Sequence, residues 1–595
     1  MSVRRGRSRA AHRGALRAKV VGQAGEPTIY GPTLPVGASM ATRVQKVRDD
    51  SGPRAVTDPG PGVGAASVHG DHWDADPYYY FNNATNYQAM VRAHAANKTF
   101  IALGSQTYNR TSNILTDAFG PFTDCAKNPT IVFLPGALIR GHTSYGPTNT
   151  RVATGGEQNA VRFTGAKAFT GTIRGGIWEF FNIGPQVGTD GLLEDAEVRW
   201  CWSVGVTVSG DRPKVRYCWL HHNGVNGITG NANGETCLKT HTGFTDAELA
   251  ADPFNESLWT HDKISGHQHA HISHIYSDSE IINGVVTTVI DSPIGVWGYD
   301  AELSYCEVSE NNQRGLLLAT DPGFNSYLNE STMKFVFRAN DWVHHNWFHN
   351  NAGWGIWWDV YNRGDPSLGR GYTLVEENVV EDQWLDPAPA GLAGSGGTGI
   401  YLEIGWGPVV VRHNYCANNW GGQITTRSQN APTQWVNIGL GNAKGTGVAA
   451  AATRLSGLVE IHNNYMWSWT QGTGFGNAYG CFKIGDEAQD FYSHDNFVSS
   501  ARKNTPRPFH FASGDQTSYG RNPGGDPFFW IAPERNIRFE RNHWQIVNQP
   551  TVLKPFQWGR EDGANDPSGN LGQKTWDEWQ ALGFDVEGTF EYVTI

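Results

Sequence analysis

Val343-His344-His345-Asn346-Trp347-Phe348 is one copy of a six-residue pattern that decides the fold of this chain. An apolar residue is usually followed by two variable residues, by Asn or Cys, by one variable residue and by a second apolar residue. The pattern occurs nine times, and its central residues are Cys201, Cys218, Cys306, Asn346, Asn378, Asn414, Asn464, Asn496 and Asn542. A constant signature at irregular intervals, here 17 to 88 residues, indicates one coil of a solenoid per copy, with loops of variable length between coils.

The pattern combines the features of a strand with those of a bend. Apolar residues at alternate positions mark a strand with one buried face, and Asn interrupts the alternation where the chain turns. In stacked parallel coils a buried Asn can hydrogen-bond to the Asn of the next coil, and Cys can take the same place. Short runs led by Gly, such as those at Gly355 and Gly399, follow many copies and form a second strand. With a third strand expected per coil, the sequence predicts an all-β, right-handed parallel β-helix.

Composition fits such a solenoid and limits its function. The 595 residues include 72 Gly and 23 Trp but only 17% charged residues, which suits one long β domain rich in turns and aromatic side chains. A net charge of −11 argues against nucleic acid as a partner, because phosphate binding requires a basic surface. We expect no membrane span, since no apolar run is long enough. The seven Cys lack metal-site spacing and indicate buried free thiols rather than a disulfide framework.

The chain divides into four predicted regions. They are a basic, Pro- and Gly-rich extended arm over residues 1–75, an N-terminal cap with the first coils over 76–192, the β-helix core over 193–550 and a C-terminal cap over 551–595. We expect short helices over 86–98 and 575–583 to cover the two ends of the solenoid. Long loop insertions interrupt the core at 231–262, 320–333, 384–398, 425–457 and 501–532, and such loops would wall a groove.

The arm is strongly basic although the whole chain is acidic. Seven Arg and Lys residues lie between Arg4 and Lys19, and no acidic residue precedes Glu26. No apolar stretch follows them, so the arm does not have the form of an ordinary secretory signal. Two interpretations stay open, a docking segment and a solvated end.

Three residues are candidates for catalysis. Asp359 and Glu403 each lie four residues after the leading Gly of successive repeats, which places their backbones about 4.8 Å apart on neighbouring coils. Such a pair could act as acid and nucleophile on a glycosidic bond, hold a calcium ion or share a proton, or both could simply point into water. Lys334, in the preceding coil, would pair with these carboxylates or serve as the base of a lyase; the alternative is a surface lysine.

Aromatic and histidine side chains supply the remaining candidates. Aromatic rings stack on sugars, although they also serve as plain packing, and the candidates for glycan binding are Trp354, Trp357, Trp358, Tyr401 and Trp406. His267, His269 and His271 alternate on one strand face at a spacing that suits a metal without requiring one. His-Asn dipeptides such as those at His345 and His413 recur with the coil and are interpreted as structural.

Several segments carry a resemblance to a known superfamily. Residues 219–228, Met333-Lys334-Phe335, the run from Gly355 to Asp359 and the run from Gly399 to Ile404 resemble the pectin-lyase-like right-handed β-helix repeat proteins. In particular they are similar to an actinobacterial and actinobacteriophage group with the same order of Lys-Phe, Gly-Ile-Trp-x-Asp and Gly-Ile-x-x-Glu-Ile motifs. The resemblance covers roughly residues 80 to 590. This chain departs from it at Trp358, where a small polar residue is common, and at the insertion between the two acids.

The resemblance implies functions of two kinds. The first is a phage tail protein, of the minor tail or tailspike type, which is part of the virion, binds other tail proteins through its arm and recognises host cell-surface polysaccharide. The second is an exported bacterial polysaccharide lyase or glycoside hydrolase. Lys334, Asp359 and Glu403 would form the shared site in either case, with no required cofactor and with calcium and a homotrimeric assembly left open. Catalysis itself, as a polysaccharide depolymerase, is an open expectation because the superfamily also holds non-enzymatic tail proteins.

Overall fold

The computed structural model describes 26 short segments of the chain. They are residues 38–56, 99–102, 107–109, 130–133, 135–141, 159–161, 171–181, 183–202, 204–208, 210–224, 228–230, 278–282, 285–289, 298–312, 331–335, 338–361, 372–383, 397–419, 422–427, 456–468, 481–484, 488–501, 509–511, 537–548 with 551–558, and 572–594. The predicted helix over 86–98, His267, His269, His271 and most of the predicted insertions lie outside these residues.

The described segments form two helices and forty strands. The helices are α1 (Ala38–Asp50) and α2 (Trp576–Ala581). The strands are β1 (Thr99–Ala102), β2 (Thr107–Asn109), β3 (Thr130–Phe133), β4 (Leu138–Arg140), β5 (Asn159–Val161), β6 (Thr172–Arg174), β7 (Ile177–Glu179), β8 (Ile183–Val187), β9 (Leu192–Glu194), β10 (Glu197–Arg199), β11 (Val206–Val208), β12 (Lys214–Arg216), β13 (Trp219–His221), β14 (Ile228–Gly230), β15 (Asp278–Ile282), β16 (Val285–Val289), β17 (Gly298–Tyr299), β18 (Glu302–Ser304), β19 (Glu307–Ser309), β20 (Ser331–Phe335), β21 (Arg338–Ala339), β22 (Trp342–His344), β23 (Trp347–His349), β24 (Trp354–Tyr361), β25 (Thr373–Glu376), β26 (Val379–Glu381), β27 (Thr398–Arg412), β28 (Tyr415–Ala417), β29 (Gly422–Arg427), β30 (Ser456–His462), β31 (Tyr465–Ser468), β32 (Phe482–Ile484), β33 (Ala488–His494), β34 (Phe497–Ser500), β35 (Phe509–Phe511), β36 (Ile537–Glu540), β37 (His543–Val547), β38 (Phe556–Trp558), β39 (Gly572–Lys574) and β40 (Thr589–Val593).

The strands stack into a right-handed parallel β-helix, which confirms the predicted fold. Thirteen described strands, from β2 to β40, form one sheet, and 25 form a second sheet that contributes two strands per coil. One coil thus consists of β22, β23 and β24, so the expected third strand is present. Strands β15 and β16 pair separately as an antiparallel hairpin.

Two tight corners separate the three strands of a coil. In the coil of β22 to β24, His345 and Asn350 have φ angles of 55° and 53°. The left-handed conformation turns the backbone sharply, and the next residue then points into the core. His413 has the same conformation at its own corner (φ 56°). The recurring His-Asn dipeptides therefore follow from the coil turn, as the sequence predicted.

A ladder of buried Asn side chains runs along the first corner. Each Asn donates its Nδ2 to the Oδ1 of the Asn in the next coil, over 2.9 to 3.0 Å. The ladder continues backwards through Cys306, whose backbone N–H donates to Asn346 Oδ1 (2.9 Å), and Cys218, whose N–H contacts Cys306 Sγ (3.5 Å). These bonds satisfy amides that are buried from water. The predicted stacking of Asn and Cys is confirmed from Cys218 to Asn542.

Cys201 does not belong to that ladder, which corrects the sequence alignment. Its backbone N–H donates to Asn223 Oδ1 (3.1 Å), and Asn223 continues to Asn311 in a second ladder at the second corner. The place before Cys218 in the first ladder is taken by Ala196, one 22-residue coil earlier (218 − 196 = 22). The interval of 17 residues between Cys201 and Cys218 is too short for a coil because these residues occupy different corners.

The predicted extended arm contains a helix, which is a second correction. Helix α1 spans Ala38–Asp50, and its residues Val44 and Val47 are buried. The pattern of Met40, Val44 and Val47, at i, i+4 and i+7, is that of an amphipathic helix, although the surrounding Pro, Gly and Arg conceal it. From Val44 onwards the chain forms one compact unit with the β-helix.

The C-terminal end is capped as predicted. Thr575 and Glu578 form a capping box at the start of α2, and Gly583 follows the last helical turn with φ +87°. The buried Asp585 ends the first ladder, because Asn542 Nδ2 donates to its Oδ1 (2.8 Å). Trp579 is fully buried and donates its indole N–H to the same carboxyl (3.2 Å). The cap thus closes both the polar ladder and the apolar core.

The earliest described strands already pair in parallel from coil to coil, β1 with β3 and β3 with β6. Among the described residues, no helix combines the length and the apolarity that a membrane crossing would require.

Candidate functional site

The candidate residues lie on three neighbouring strands, β20, β24 and β27. Parallel pairing brings Lys334 opposite Trp357, and Trp357 opposite Tyr401. The flanking positions point into the core, where Met333, Ile356, Ile400, Phe335, Trp358 and Leu402 are buried at 0 to 1% exposure. Because strand side chains alternate, Lys334, Trp357 and Tyr401 lie on the opposite side. We call this side of the three strands the third face.

Asp359 and Glu403 are register partners on β24 and β27. Their predicted position on adjacent coils is therefore confirmed at the level of the backbone, which is the part of these two residues that the structure describes. Each follows an aromatic residue of the third face by two positions, Asp359 after Trp357 and Glu403 after Tyr401. Arg427 on β29 is the next register partner, opposite Glu403. Two acidic positions and one basic position thus follow one another along three coils.

Lys334 contacts the third face directly. Its Nζ lies 3.7 Å from the centroid of the Trp357 ring, at the distance of a cation–π contact. The side chain is half-buried, and its backbone pairs on the other side with Thr229 of β14. Lys334 therefore shares the face of Trp357.

Trp354, Trp357 and Tyr401 form a small aromatic cluster outside the main core. The ring centroids of Trp354 lie 4.1 Å from Trp357 and 4.5 Å from Tyr401, and each of the three side chains is no more than 4% exposed. Among the described residues, the indole N–H of Trp357 is buried and has no hydrogen-bond partner. An unpaired buried donor is costly, and such donors are rare in folded proteins. The cluster is therefore a packed aromatic group that contains one costly polar atom, rather than an open surface for stacking.

The other two predicted glycan-binding residues lie elsewhere. The Trp358 side chain is fully buried in the main core, where its indole N–H contacts Asp341 Oδ2 (3.4 Å), so it cannot reach a glycan. Alternation explains this position, since Trp358 follows Ile356 at the strand period of two. Trp406 lies on β27 with its backbone opposite Gly457, just before a register irregularity that ends at Val409.

A buried ion pair helps to hold the strands of the third face in place. Arg338 and Asp341 are both fully buried, and Arg338 Nε donates to Asp341 Oδ1 over 3.1 Å. Burial raises the pKa of the Asp341 carboxyl, while Arg338 and the backbone N–H of Ala301 (2.9 Å) act against that rise. Because Asp341 also holds the indole of Trp358, the pair fixes the strand that carries Trp357. Sequence analysis missed this pair, which has no local signature.

Sequence analysis also missed a repeated Trp-x-His-His-Asn motif. It occurs at residues 219–223 and 342–346. In both copies the Trp ring stacks on the first His at 3.7 and 3.8 Å, and the two His Nδ1 atoms lie 2.7 and 2.9 Å apart. The repetition of this five-residue motif in the sequence could have revealed it. The copy at 219–223 lies at the second corner of its coil and the copy at 342–346 at the first corner, both outside β20, β24 and β27.

Metal binding has little support among the residues that the structure describes. No group of three His, Cys, Asp or Glu side chains within them is arranged to hold an ion. Asp359 and Glu403 are the pair that would hold a calcium ion, through carboxylate oxygens. The three histidines proposed as metal ligands lie outside the described residues.

Comparisons with known proteins gave distant structural similarities alone. Neither protein-family models nor curated proteins gave a match. Among solved structures, the chain is similar to pectate lyase Pel9A, at 12% identity over 69% of this chain and 79% of that one, with a TM-score of 0.32. It is also similar to the A-module of mannuronan C-5 epimerase AlgE4 from Azotobacter vinelandii, at 10% identity over 72% and 96%, with a TM-score of 0.38. A third similar structure is the catalytic unit of a GH87 alpha-1,3-glucanase from Streptomyces thermodiastaticus strain HF3-3, at 11% identity over 86% of this chain and 68% of that one, with a TM-score of 0.34. Similarity at this level does not bear on the activity of this chain.

Proposed function

We propose that this protein binds and cleaves a polysaccharide on the third face of its β-helix. The observation that carries the proposal is the in-register pair Asp359 and Glu403, two residues beyond an aromatic cluster that Lys334 contacts. Acidic positions on adjacent coils suit a glycosidic substrate, because one carboxyl can protonate the glycosidic oxygen while the other acts at the anomeric carbon.

Asp359 and Glu403 would divide the chemistry between them. Two carboxylates whose backbones lie about 4.8 Å apart repel each other. The repulsion raises the pKa of one of them, so that group keeps its proton and serves as the acid. The other would attack the anomeric carbon, because retaining enzymes place their carboxyls about 5 to 5.5 Å apart and inverting enzymes about 6.5 to 9.5 Å. Lys334 would orient the substrate in this scheme. In a lyase it would instead remove the proton next to a uronate carboxylate.

A product assay separates these mechanisms. The purified protein is incubated with a panel of bacterial capsular, cell-wall and storage polysaccharides, and new reducing ends and ultraviolet-absorbing unsaturated ends are measured in parallel. Hydrolysis gives reducing ends alone, whereas a lyase gives both signals. Binding without either product, measured by co-sedimentation with insoluble glycan, would reduce the proposal to recognition. A panel with neither binding nor product would contradict it.

We further propose that the protein belongs to a phage tail, as a minor tail or tailspike-like component of the virion. The basic segment from Arg4 to Lys19 supports this setting, because it would dock on other tail proteins while the β-helix meets the host polysaccharide. An exported bacterial depolymerase is the alternative. Mass spectrometry of purified particles tests the first proposal, and a variant lacking residues 1–37 should lose incorporation while keeping α1. If this variant were incorporated into particles at the wild-type level, docking through this segment would be refuted. Sedimentation velocity would test whether the protein is a homotrimer.

A further inference from the structure

Residues 44–56 contact five successive coils of the β-helix, at the first corner around Arg54 and at the end of β26 around Arg48. We call this segment the strap. Its contacts follow the order of the coils. Arg54 pairs with Asp195 and Glu194 of the first coil and stacks on Tyr217 of the second. Gly52 N–H donates to Tyr305 O of the third coil (2.9 Å), Ser51 Oγ donates to His345 O of the fourth (3.3 Å), and Arg48 pairs with Glu381 of the fifth. The strap therefore runs along the solenoid axis, across its coils rather than within one of them.

The length of the strap matches this path. Four steps between coils cover about 19 Å at about 4.8 Å each. Residues 48–50 belong to α1, which rises only about 1.5 Å per residue, so the backbone from Arg48 to Arg54 covers less than this distance. The side chains of Arg48 and Arg54 supply the rest of the span.

Those five coils include one joint across which the chain makes a long excursion. Successive ladder residues are 22 residues apart before it (218 − 196) but 88 apart across it (306 − 218). Across the joint, the described coils are held by three pairings of three residues each, β12 with β18, β13 with β19 and β14 with β20, and by the ladder bonds of Cys218 and Asn223. A long excursion between paired strands raises the entropic cost of closing them. Arg54 contacts the coils before the joint, and Gly52, Ser51 and Arg48 contact the coils after it.

The chemistry of the strap suits a clamp with two ends. At one end the Asp195 carboxylate is fully buried and accepts hydrogen bonds from Arg54 Nε (2.7 Å), Arg54 N–H (3.1 Å) and Arg174 Nε (2.9 Å). At the other end, Glu381 is largely buried and accepts from Arg48 Nε (3.1 Å) and the Trp347 indole (2.7 Å). Between them, the rings of Tyr217, Tyr305 and His345 stack at 4.8 and 4.9 Å. Partly buried Arg–carboxylate pairs are stronger than exposed ones.

We propose that the strap is a latch that holds the coils on either side of the joint together, so that its release lets the joint open locally. This role does not depend on glycan cleavage, although the joint also includes the pairing of Thr229 with Lys334. Release would require both Arg pairs to break. Conditions that screen charge should therefore loosen the joint before the rest of the solenoid.

Hydrogen–deuterium exchange of the full chain tests the latch. In the double variant Arg48→Gln and Arg54→Gln, the amides of 214–221 and 302–309 should exchange about tenfold faster, while those of β34 and β37 keep the wild-type rate. Arg174 and Trp347 still partner the two carboxylates, so the variant retains its fold. In the wild type, 1 M salt should produce part of the same change.

The matched control is Arg212→Gln, which removes an exposed Arg–carboxylate pair with Asp190 at another turn. It should leave exchange at the joint unchanged. Exchange at the joint at the wild-type rate in the double variant would overturn the latch, as would an equal acceleration in all strands. The conservative variant Arg54→Lys should fall between wild type and the double variant, because lysine keeps the charge but not the paired geometry.

Discussion

Replacing Asn414 by Ala should weaken the middle of the solenoid strongly. The buried Asn414 side chain accepts from Asn378 N–H (3.1 Å) and Asn378 Nδ2 (2.9 Å), and it donates to Asn464 Oδ1 (3.0 Å) and Val375 O (2.9 Å). Alanine would leave the backbone N–H of Asn378 and one of its two Nδ2 hydrogens without their acceptor and would remove a donor from Val375 O, while Asn378 Nδ2 keeps its bond to Val343 O (2.9 Å). At about 1 to 3 kcal/mol for each unsatisfied group, and with some relaxation, the expected loss in local stability is about 3 to 6 kcal/mol.

Asn414→Cys is the matched comparison. The ladder already accepts Cys at position 306, where the thiol contacts Val215 O over 3.6 Å. Sulfur accepts and donates weakly, so the Cys variant should lose about half as much as the Ala variant. The ladder thus predicts a graded series in which Asn is most stable, Cys intermediate and Ala least stable.

Native-state hydrogen exchange is the appropriate assay, because a long repeat array need not unfold as one unit. The opening free energy of amides in 379–381 and 415–417 is measured for the three proteins. A loss below about 1 kcal/mol in Asn414→Ala would refute the argument, since the amide ladder would then contribute little beyond filling space. Equal losses in the Ala and Cys variants would also contradict it.

Three further predictions concern charge, thiols and the aromatic core. Burial alone would raise the pKa of the Glu302 carboxyl, but hydrogen bonds with His344 and Arg216 lower it to about 2. The stabilisation that this carboxylate contributes is therefore complete above pH 4.5 and is lost as the pH falls towards 2. The difference in thermal stability between wild type and Glu302→Gln should therefore narrow across this interval. Five buried thiols should resist alkylation in the folded protein and react in denaturant, namely those of Cys201, Cys218, Cys306, Cys416 and Cys481. The reason is burial, which raises the pKa of Cys201 to about 12, and mass spectrometry of labelled peptides measures the reaction. Trp358→Leu should lower the melting temperature more than Trp357→Leu, since Trp358 fills the main core and pairs with Asp341.

The sequence predicted the parts of the molecule that depend on repetition. Asn378 and Asn414 could be recognised because a buried amide is tolerated only where another amide satisfies it, and that requirement repeats with each coil. The adjacency of Asp359 and Glu403 followed from the same register. Cys201 was misplaced because both corners use the same small polar residues, and only the 22-residue coil length tells them apart.

Features that depend on three-dimensional neighbours could not be predicted in this way. Trp357 and Trp358 are identical neighbouring residues, so the sequence alone does not distinguish them. Only the buried side chain of Ile356 shows which side of the strand faces the core, and alternation then places Trp358 in the core and Trp357 on the third face. The Arg338–Asp341 pair depends on a corner geometry that no repeat encodes. The helix Ala38–Asp50 could have been recognised from its apolar spacing, but its contact with Glu381 spans 333 residues of sequence.

The central claim is that Asp359 and Glu403 act together on a polysaccharide. The most direct measurement is the rate of product release from the best substrate of the panel by wild type, Asp359→Asn and Glu403→Gln, with Glu460→Gln as the control on a different strand. Each of the first two variants should lose about 10²-fold or more in kcat with unchanged circular dichroism, while the control keeps the wild-type rate. Full activity in either variant would contradict the claim.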